Sequence, residues 1–446
     1  MHQNPTPDLL PLAPPPSPLA RLLRSEMFPG LLLVFAAAVS ITLANLPMAA
    51  AWREVWETHL RLQLGDWILE KPVQHWINDG LMVVFFFFVG LEIKHEMLDG
   101  ELQSARKAAL PIAAALGGML VPAGLYAAVA GWRGDGAAAG WGIPMATDIA
   151  FALGVLVLLG RRVPTGLKVF LASLAIVDDL GAVLVIAIFY TEQIEWQFLL
   201  AGLGILAVSY GANRCGVRKT WPYTVLGLLL WLLFLKSGVH ATIAGVALAM
   251  TVPARRELDE QLFSARARQL LDGFDHAADR TPLTNPTQLR MVRELQMHAT
   301  AVQAPLQRME HGLSPLVSHL IVPLFALANA GVGFADGFDA AAPAAQGVFV
   351  GLCVGKPVGV MLACWLAVRW LGSPLPASTT WRHVHGAAWL SGIGFTMSLF
   401  VNGLAFPDRG PSFTAAKVAV LGASVVCGIV GYLLLRTTPG ADRTDA

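Results

Sequence analysis

Residues 166–190 read GLKVFLASLAIVDDLGAVLVIAIFY. The run is apolar over the length that crosses a bilayer, about 20 residues. Yet Asp178 and Asp179 sit side by side near its middle. On insertion scales a charge at the centre of a spanning helix costs about 2.5–3.5 kcal/mol. The segment therefore reads as a membrane helix whose carboxylates face protein or water, not lipid. Adjacent residues on a helix point about 100° apart. One carboxylate can thus face a cavity while its neighbour faces a packed helix. Two carboxylates this close do not easily ionise together, so protons and a hard cation compete for the same oxygens.

Eleven more segments of comparable character surround this one. They lie near 28–46, 75–98, 109–130, 140–159, 197–213, 221–235, 238–252, 314–331, 346–368, 384–406 and 414–435. The expectation is an all-α polytopic membrane protein of about twelve transmembrane helices. Continuous apolar runs exclude a membrane barrel, whose strands alternate every second residue. Only 14% of residues are charged, against about 25% in soluble proteins, so lipid is the main solvent. A net charge of +1 gives no reason to expect a nucleic acid or a polyanion. The four cysteines show no CxxC or Cys/His cluster, so neither a disulfide framework, a zinc site nor any cofactor is expected. Residues 1–20 hold seven prolines and no apolar run. They read as a disordered cytoplasmic tail, not a signal peptide. The membrane domain is then 21–436, followed by a cytoplasmic tail at 437–446.

Lys and Arg concentrate on the cytoplasmic side of a membrane. With an even number of spans and both termini inside, the short loops place fifteen basic residues in the cytoplasm and six outside. The six are Arg53, Arg61, Lys71, Arg133, Lys236 and Arg409. The long loop at 253–313 has eight Arg and eight Asp or Glu. It reads as a cytoplasmic connector, with Leu258, Leu262, Ala265 and Leu270 at roughly helical spacing.

Two further spans carry charge: Asp148 lies in the fourth and Lys356 in the tenth. Four such charges facing lipid would cost roughly 10–14 kcal/mol, comparable with a whole domain's stability of about 5–15 kcal/mol. They must face one another or water. A structural pair of Lys356 with one aspartate leaves two carboxylates over. Lys356 stands between Gly355 and Pro357, where close packing and a broken hydrogen-bond ladder are expected. If it pairs with Asp178, rupture of the pair would move a proton. The fourth span is interrupted at Gly142-Ile143-Pro144-Met145-Ala146-Thr147-Asp148, and the eleventh at Ser391-Gly392-Ile393-Gly394-Phe395-Thr396. Matched interruptions in two halves point to a transporter's binding site. Spans 3–5 and 10–12 would be inverted repeats whose broken helices, 4 and 11, cross. There Asp148 would offset positive helix N-termini and Lys356 negative C-termini.

Glu92 and Glu96, four apart at the end of the second span, share a face. At a cytoplasmic mouth they would attract cations and respond to pH, or simply form a polar helix end. Free imidazoles titrate near neutrality. Taken singly, His240 and His311 read as structural or solvated.

Several motifs in order resemble the NhaA-type sodium/proton antiporters of bacterial inner membranes. They are Phe88-Val89-Gly90-Leu91-Glu92-Ile93-Lys94, Ala146-Thr147-Asp148-Ile149-Ala150-Phe151-Ala152-Leu153-Gly154, Ala175-Ile176-Val177-Asp178-Asp179, Gly238-Val239-His240-Ala241-Thr242, Phe325-Ala326-Leu327-Ala328-Asn329-Ala330-Gly331, Gly355-Lys356-Pro357 and Gly392-Ile393-Gly394-Phe395-Thr396-Met397-Ser398. They span about 28–435. The family is itself a standard example of inverted repeats, so the repeat reading and the resemblance are not independent. The resemblance implies twelve helices and pH-regulated, electrogenic exchange of Na⁺, and of Li⁺, for more than one incoming proton. It assigns the ion to Asp179 with Asp178 beside it, and support of the helix crossing to Thr147 and Asp148. Lys356 becomes the partner of Asp178. Glu92, Glu96, Glu310 and His311 form the pH-responsive mouth, and a homodimer is implied. The chain departs from the family pattern at His95, where another basic residue is usual, and at Ser314, where a second histidine is frequent. Its connector before the ninth span is long, and its proline-rich start is an addition. An intramembrane aspartyl protease would need a GxGD motif, which is absent. A cation channel needs no competition between proton and cation.

Overall fold

The computed structural model describes residues 25, 27–64, 67–131, 137–191, 193–277, 285–333 and 339–439. The tail expected over 1–20, and residues 440–446, lie outside them. In chain order the helices are α1 (Phe28–Asn45), α2 (Ala49–Glu57), α3 (Val73–Asp99), α4 (Ala105–Ala130), α5 (Ile149–Leu158), α6 (Thr165–Phe189), α7 (Trp196–Arg214), α8 (Trp221–Ser237), α9 (Thr242–Thr251), α10 (Glu260–His276), α11 (Pro286–Ala301), α12 (Pro305–Asn329), α13 (Pro343–Trp370), α14 (Trp381–Leu390), α15 (Phe395–Ala405) and α16 (Pro411–Thr437). A 3-10 segment, Ala137–Met145, precedes α5.

Among the described residues seven helices are long and apolar enough to cross a membrane. The count is nine when the 3-10 segment with α5, and α14 with α15, are each taken as one bent span. The bends are 41° and 45°. α7, α8 and α9 fill the three remaining windows read from the sequence. The fold is an all-α polytopic membrane fold.

α4 and α13 approach each other closely. A Cβ on Gly117 would strike the Gly359 carbonyl, and one on Gly355 would come 2.7 Å from Pro122 Cα. As numbering rises along α4 it falls along α13, so the two helices run antiparallel. Only glycine allows backbones this close. The bent spans also meet antiparallel: Ser398 pairs with Ile143 and Asp148 with Ile393.

Three details differ from the sequence expectation. Two short antiparallel strands, β1 (His59–Leu64) and β2 (Trp67–Pro72), stand outside the helical bundle. Their register runs from His59 opposite Pro72 to Leu64 opposite Trp67. Alternation of Leu60, Leu62 and Leu64 with polar neighbours was the available signal. α12 begins at Pro305, nine residues before the expected 314, because polar side chains carry the helix past the apolar stretch. The connector holds not one helix but two, α10 and α11, packed on each other.

Candidate functional site

The two bent spans touch at their breaks. The Asp148 N–H donates to the Ile393 carbonyl at 2.7 Å, and the Ser398 hydroxyl to the Ile143 carbonyl at 2.8 Å. Breaking a helix leaves N–H groups and carbonyls without partners, and side chains at the crossing supply them. Asp148 caps α5, accepting from the Phe151 N–H at 2.9 Å on Oδ1. Its Oδ2 accepts from the Thr396 N–H at 3.1 Å and the Thr396 hydroxyl at 2.5 Å. One carboxylate thus faces the N-termini of both α5 and α15. Each contributes about half a positive charge, so together they offset roughly one negative charge.

α6 runs unbroken past this crossing and brings in Asp178 and Asp179. Lys356 comes from α13. Pro357 has no N–H for the carbonyl four residues back, and residues 351–355 wind as a π-turn just before the lysine. Opposite it, a Cβ on Gly118 would lie 3.7 Å from the ammonium and 3.0 Å from Val360. Lys356 Nζ donates to Asp178 Oδ2 and, at 2.9 Å, to the Thr147 hydroxyl. That hydroxyl lies 2.7 Å from Asp178 Oδ2 and 2.8 Å from the Ser391 carbonyl at the end of α14. Its single hydrogen serves one of the two. Lys356 therefore reaches the C-terminal end of α14 through Thr147, not directly. Thr147, Asp178, Asp179 and Lys356 are all 0% exposed, and Asp148 is 2% exposed.

Asp179 stands apart. No protein group among the described residues donates to either of its oxygens. Its charged neighbours are Asp178, Asp148, Glu92 and Lys356. Lys356 balances Asp178 and the helix ends balance Asp148, so the Asp179 carboxylate has no positive counterpart of its own among the described residues. An isolated buried charge is prohibitively costly, so this carboxylate must carry a proton or a cation.

Towards one end of the bundle Glu92 stands between the crossing and two further carboxylates, Glu96 and Glu310. His95 Nδ1 lies 2.9 Å from Glu310 Oε2, joining α3 to α12. The Lys94 ammonium donates to the Met250 and Val252 carbonyls at 2.6 and 2.5 Å, closing the C-terminal end of α9. Glu96 turns to its own loop, accepting from the Glu101 N–H at 2.9 Å. His311 is exposed. Sequence reasoning passed over Thr396, whose hydroxyl holds Asp148, and Lys94. Lys417, within the window 414–435, was not singled out either. That lysine is 9% exposed, and its amine donates to the Gly331 carbonyl at 2.5 Å.

Charges matched at the crossing of two broken, antiparallel spans mark an ion-coupled secondary transporter of the inverted-repeat class. A family model described as Na+/H+ antiporter 1 matches residues 20–435. The Na(+)/H(+) antiporter NhaA of Oleidesulfovibrio alaskensis is 48% identical over 424 residues, 94% of each chain. That of Koribacter versatilis is 46% identical over 421 residues, 94% of this chain and 91% of its own. Among solved structures the chain is similar to the sodium proton antiporter MjNhaP1 from Methanocaldococcus jannaschii, with TM-score 0.45 and 10% identity over 93% of this chain and 90% of that one. The chain belongs to the Na+/H+ antiporter 1 family and is a multi-pass membrane protein.

Proposed function

We propose that the protein expels Na⁺, and Li⁺ as a second substrate, in exchange for protons entering across the bacterial inner membrane. Both termini are cytoplasmic, and the end with Glu92, His95 and Glu310 is the inward mouth. The reading is carried by Asp179, a buried carboxylate without a donor among the described residues, beside one that Lys356 and Thr147 hold through a single oxygen. Protonated, Asp179 is neutral in its dry pocket. When Na⁺ displaces the proton the site is neutral again, so both forms are tolerated and compete for the same oxygens. Li⁺ is a harder cation with the same charge and fits the same logic.

Asp178 sits next to the bound cation and has one unbonded oxygen, Oδ1. As the cation draws on Asp178, the Lys356 ammonium loses its counter-ion and releases a proton. One proton from Asp179 and one from Lys356 exceed the single charge of Na⁺, so exchange is electrogenic. Thr147 and Asp148 hold the half-helices in place around the ion. Control by pH lies at the mouth, with Glu92, Glu96, Glu310 and His311. The scheme needs no cofactor, and resemblance to the family supports a homodimer.

The test is Na⁺-, Li⁺- and K⁺-driven proton movement in proteoliposomes at several pH values. Wild type is expected to exchange Na⁺ and Li⁺, moving net charge. Asp179→Asn is expected to be silent with all three ions. Normal exchange by that variant would overturn the assignment.

A further inference from the structure

The end of the bundle opposite the mouth holds ionisable side chains that the exchange scheme does not use. A cavity of about 750 Å³ opens there, walled by Lys71, His75, Lys236, His240 and Arg409 around Asp79. Asp79 is the sole carboxylate among its described lining residues. It lies on α3, one turn after His75, whose Nε2 is 2.9 Å from Asp79 Oδ2. The carboxylate side chain is 18% exposed. His240, from the turn between α8 and α9, and Lys71, from β2, act on it from the other elements packed around it. This stretch of α3, Trp76–Leu81, winds as a π-turn, a form frequent at functional sites. The Trp231 indole N–H holds it, donating to the Asp79 carbonyl at 3.1 Å.

The floor of the cavity is aromatic. The His240 ring lies 5.5 Å from that of Phe400, which packs 5.6 Å from Phe86 and 6.2 Å from Phe325. Phe400 belongs to α15, four residues after the Thr396 that holds Asp148. Four residues rise about 6 Å. Phe400, which lines the cavity, therefore lies one helical turn along α15 from the crossing.

We propose that Asp79 is a second ion station, the carboxylate through which protons enter and Na⁺ leaves on the outward side. His75 is its positioning residue, and Phe400 is the plug between it and Asp179. The proposal rests on the exchange and orientation put forward above. A pair this exposed contributes little to stability; its place on the path is what counts. Lys71, Lys236 and Arg409 make the wall positive, which discourages Na⁺ from returning. Protons pass such a wall by transfer between imidazole and carboxylate.

The experiment compares wild type, Asp79→Asn, Asp79→Glu and His75→Gln in proteoliposomes, with pH varied separately on each side. Asp79→Asn is expected to slow exchange about tenfold, less than the typical factor of about 10²–10⁴ for a group at the reacting atoms. It should also abolish the response to outward pH while keeping the response to mouth-side pH. His75→Gln should shift the outward response in the same direction by less, and Asp79→Glu should restore it. If Asp79→Asn does not fold, His75→Gln carries the same readout with the carboxylate in place. An Asp79→Asn protein with a wild-type response to outward pH overturns the station, and so does one altered only in its response to mouth-side pH. Absence of exchange in wild type removes the exchange reading and this one together, whereas a normal wild type with an indifferent Asp79→Asn removes this one alone.

Discussion

The crossing and the mouth both gather carboxylates against basic side chains, yet they do so in opposite ways. At the crossing every charged group is buried, and each carboxylate but Asp179 meets a buried partner: an ammonium, or a pair of helix ends. At the mouth the partners are half-buried and conditional. His95 and Glu310 form a salt bridge only while the imidazole is protonated. The difference separates two jobs. On the proposed scheme, the buried site with its unmatched carboxylate exchanges one cation for one proton, and the half-buried mouth ties two helices through a histidine and a carboxylate.

The largest expected effect breaks the crossing at its unmatched member. Asp179→Asn should abolish ion-driven proton movement. It removes a carboxylate to which no protein group donates, so no hydrogen bond is lost. Thermal unfolding in detergent should therefore stay at or above the wild-type temperature. A variant that loses exchange by unfolding would show that Asp179 is held by contacts the crossing does not display.

Its neighbour should behave the other way. Lys356→Ala leaves Asp178 buried and unpaired, a change that costs about 3–5 kcal/mol when one member of a buried pair is deleted. Adding Asp178→Asn removes the stranded charge, and most of the lost stability should return. A simple sum of two losses in the double variant would mean that the pair is not coupled. Smaller again is Thr396→Val, which keeps the shape and the backbone N–H but deletes the hydroxyl bonded to Asp148. A hydrogen bond to a charged group is worth about 1.5–3 kcal/mol. The unfolding temperature should fall, and exchange should slow for Na⁺ and Li⁺ alike, because the half-helices are held less firmly.

This contrast also explains what could be read from the sequence. Asp148, Asp178, Asp179 and Lys356 interrupt apolar runs, and a charge in lipid is so costly that each announces itself. The Gly and Pro interruptions in the fourth and eleventh spans were visible for a similar reason, since they break a helical ladder. Thr396 was not, because one hydroxyl in a membrane helix carries no such cost. Which residues meet across the crossing depends on two segments almost 250 positions apart, such as Asp148 and Thr396. Outside the bilayer the signal is weaker. Polar residues there are unremarkable wherever they lie, so β1 and β2, the early start of α12 and the two-helix form of the connector had to be seen.

The smallest expected effect tests the conditional side of the comparison. In this chain the basic residue facing Glu310 is a histidine, so the tie between α3 and α12 depends on pH. His95→Arg makes that tie permanent, since a guanidinium stays charged throughout the physiological range. The residues at the crossing are untouched, so the maximal rate should stay as in wild type. The rate should vary less steeply with mouth-side pH than it does in wild type. A half-exposed pair is worth only about 0–1 kcal/mol, so the shift should amount to a few-fold change in rate at a given pH, and the unfolding temperature should barely move. Proton movement recorded at fixed outward pH and stepped mouth-side pH reads it directly. An unchanged profile would place pH control away from His95, leaving Glu92 and its neighbouring carboxylates to provide it.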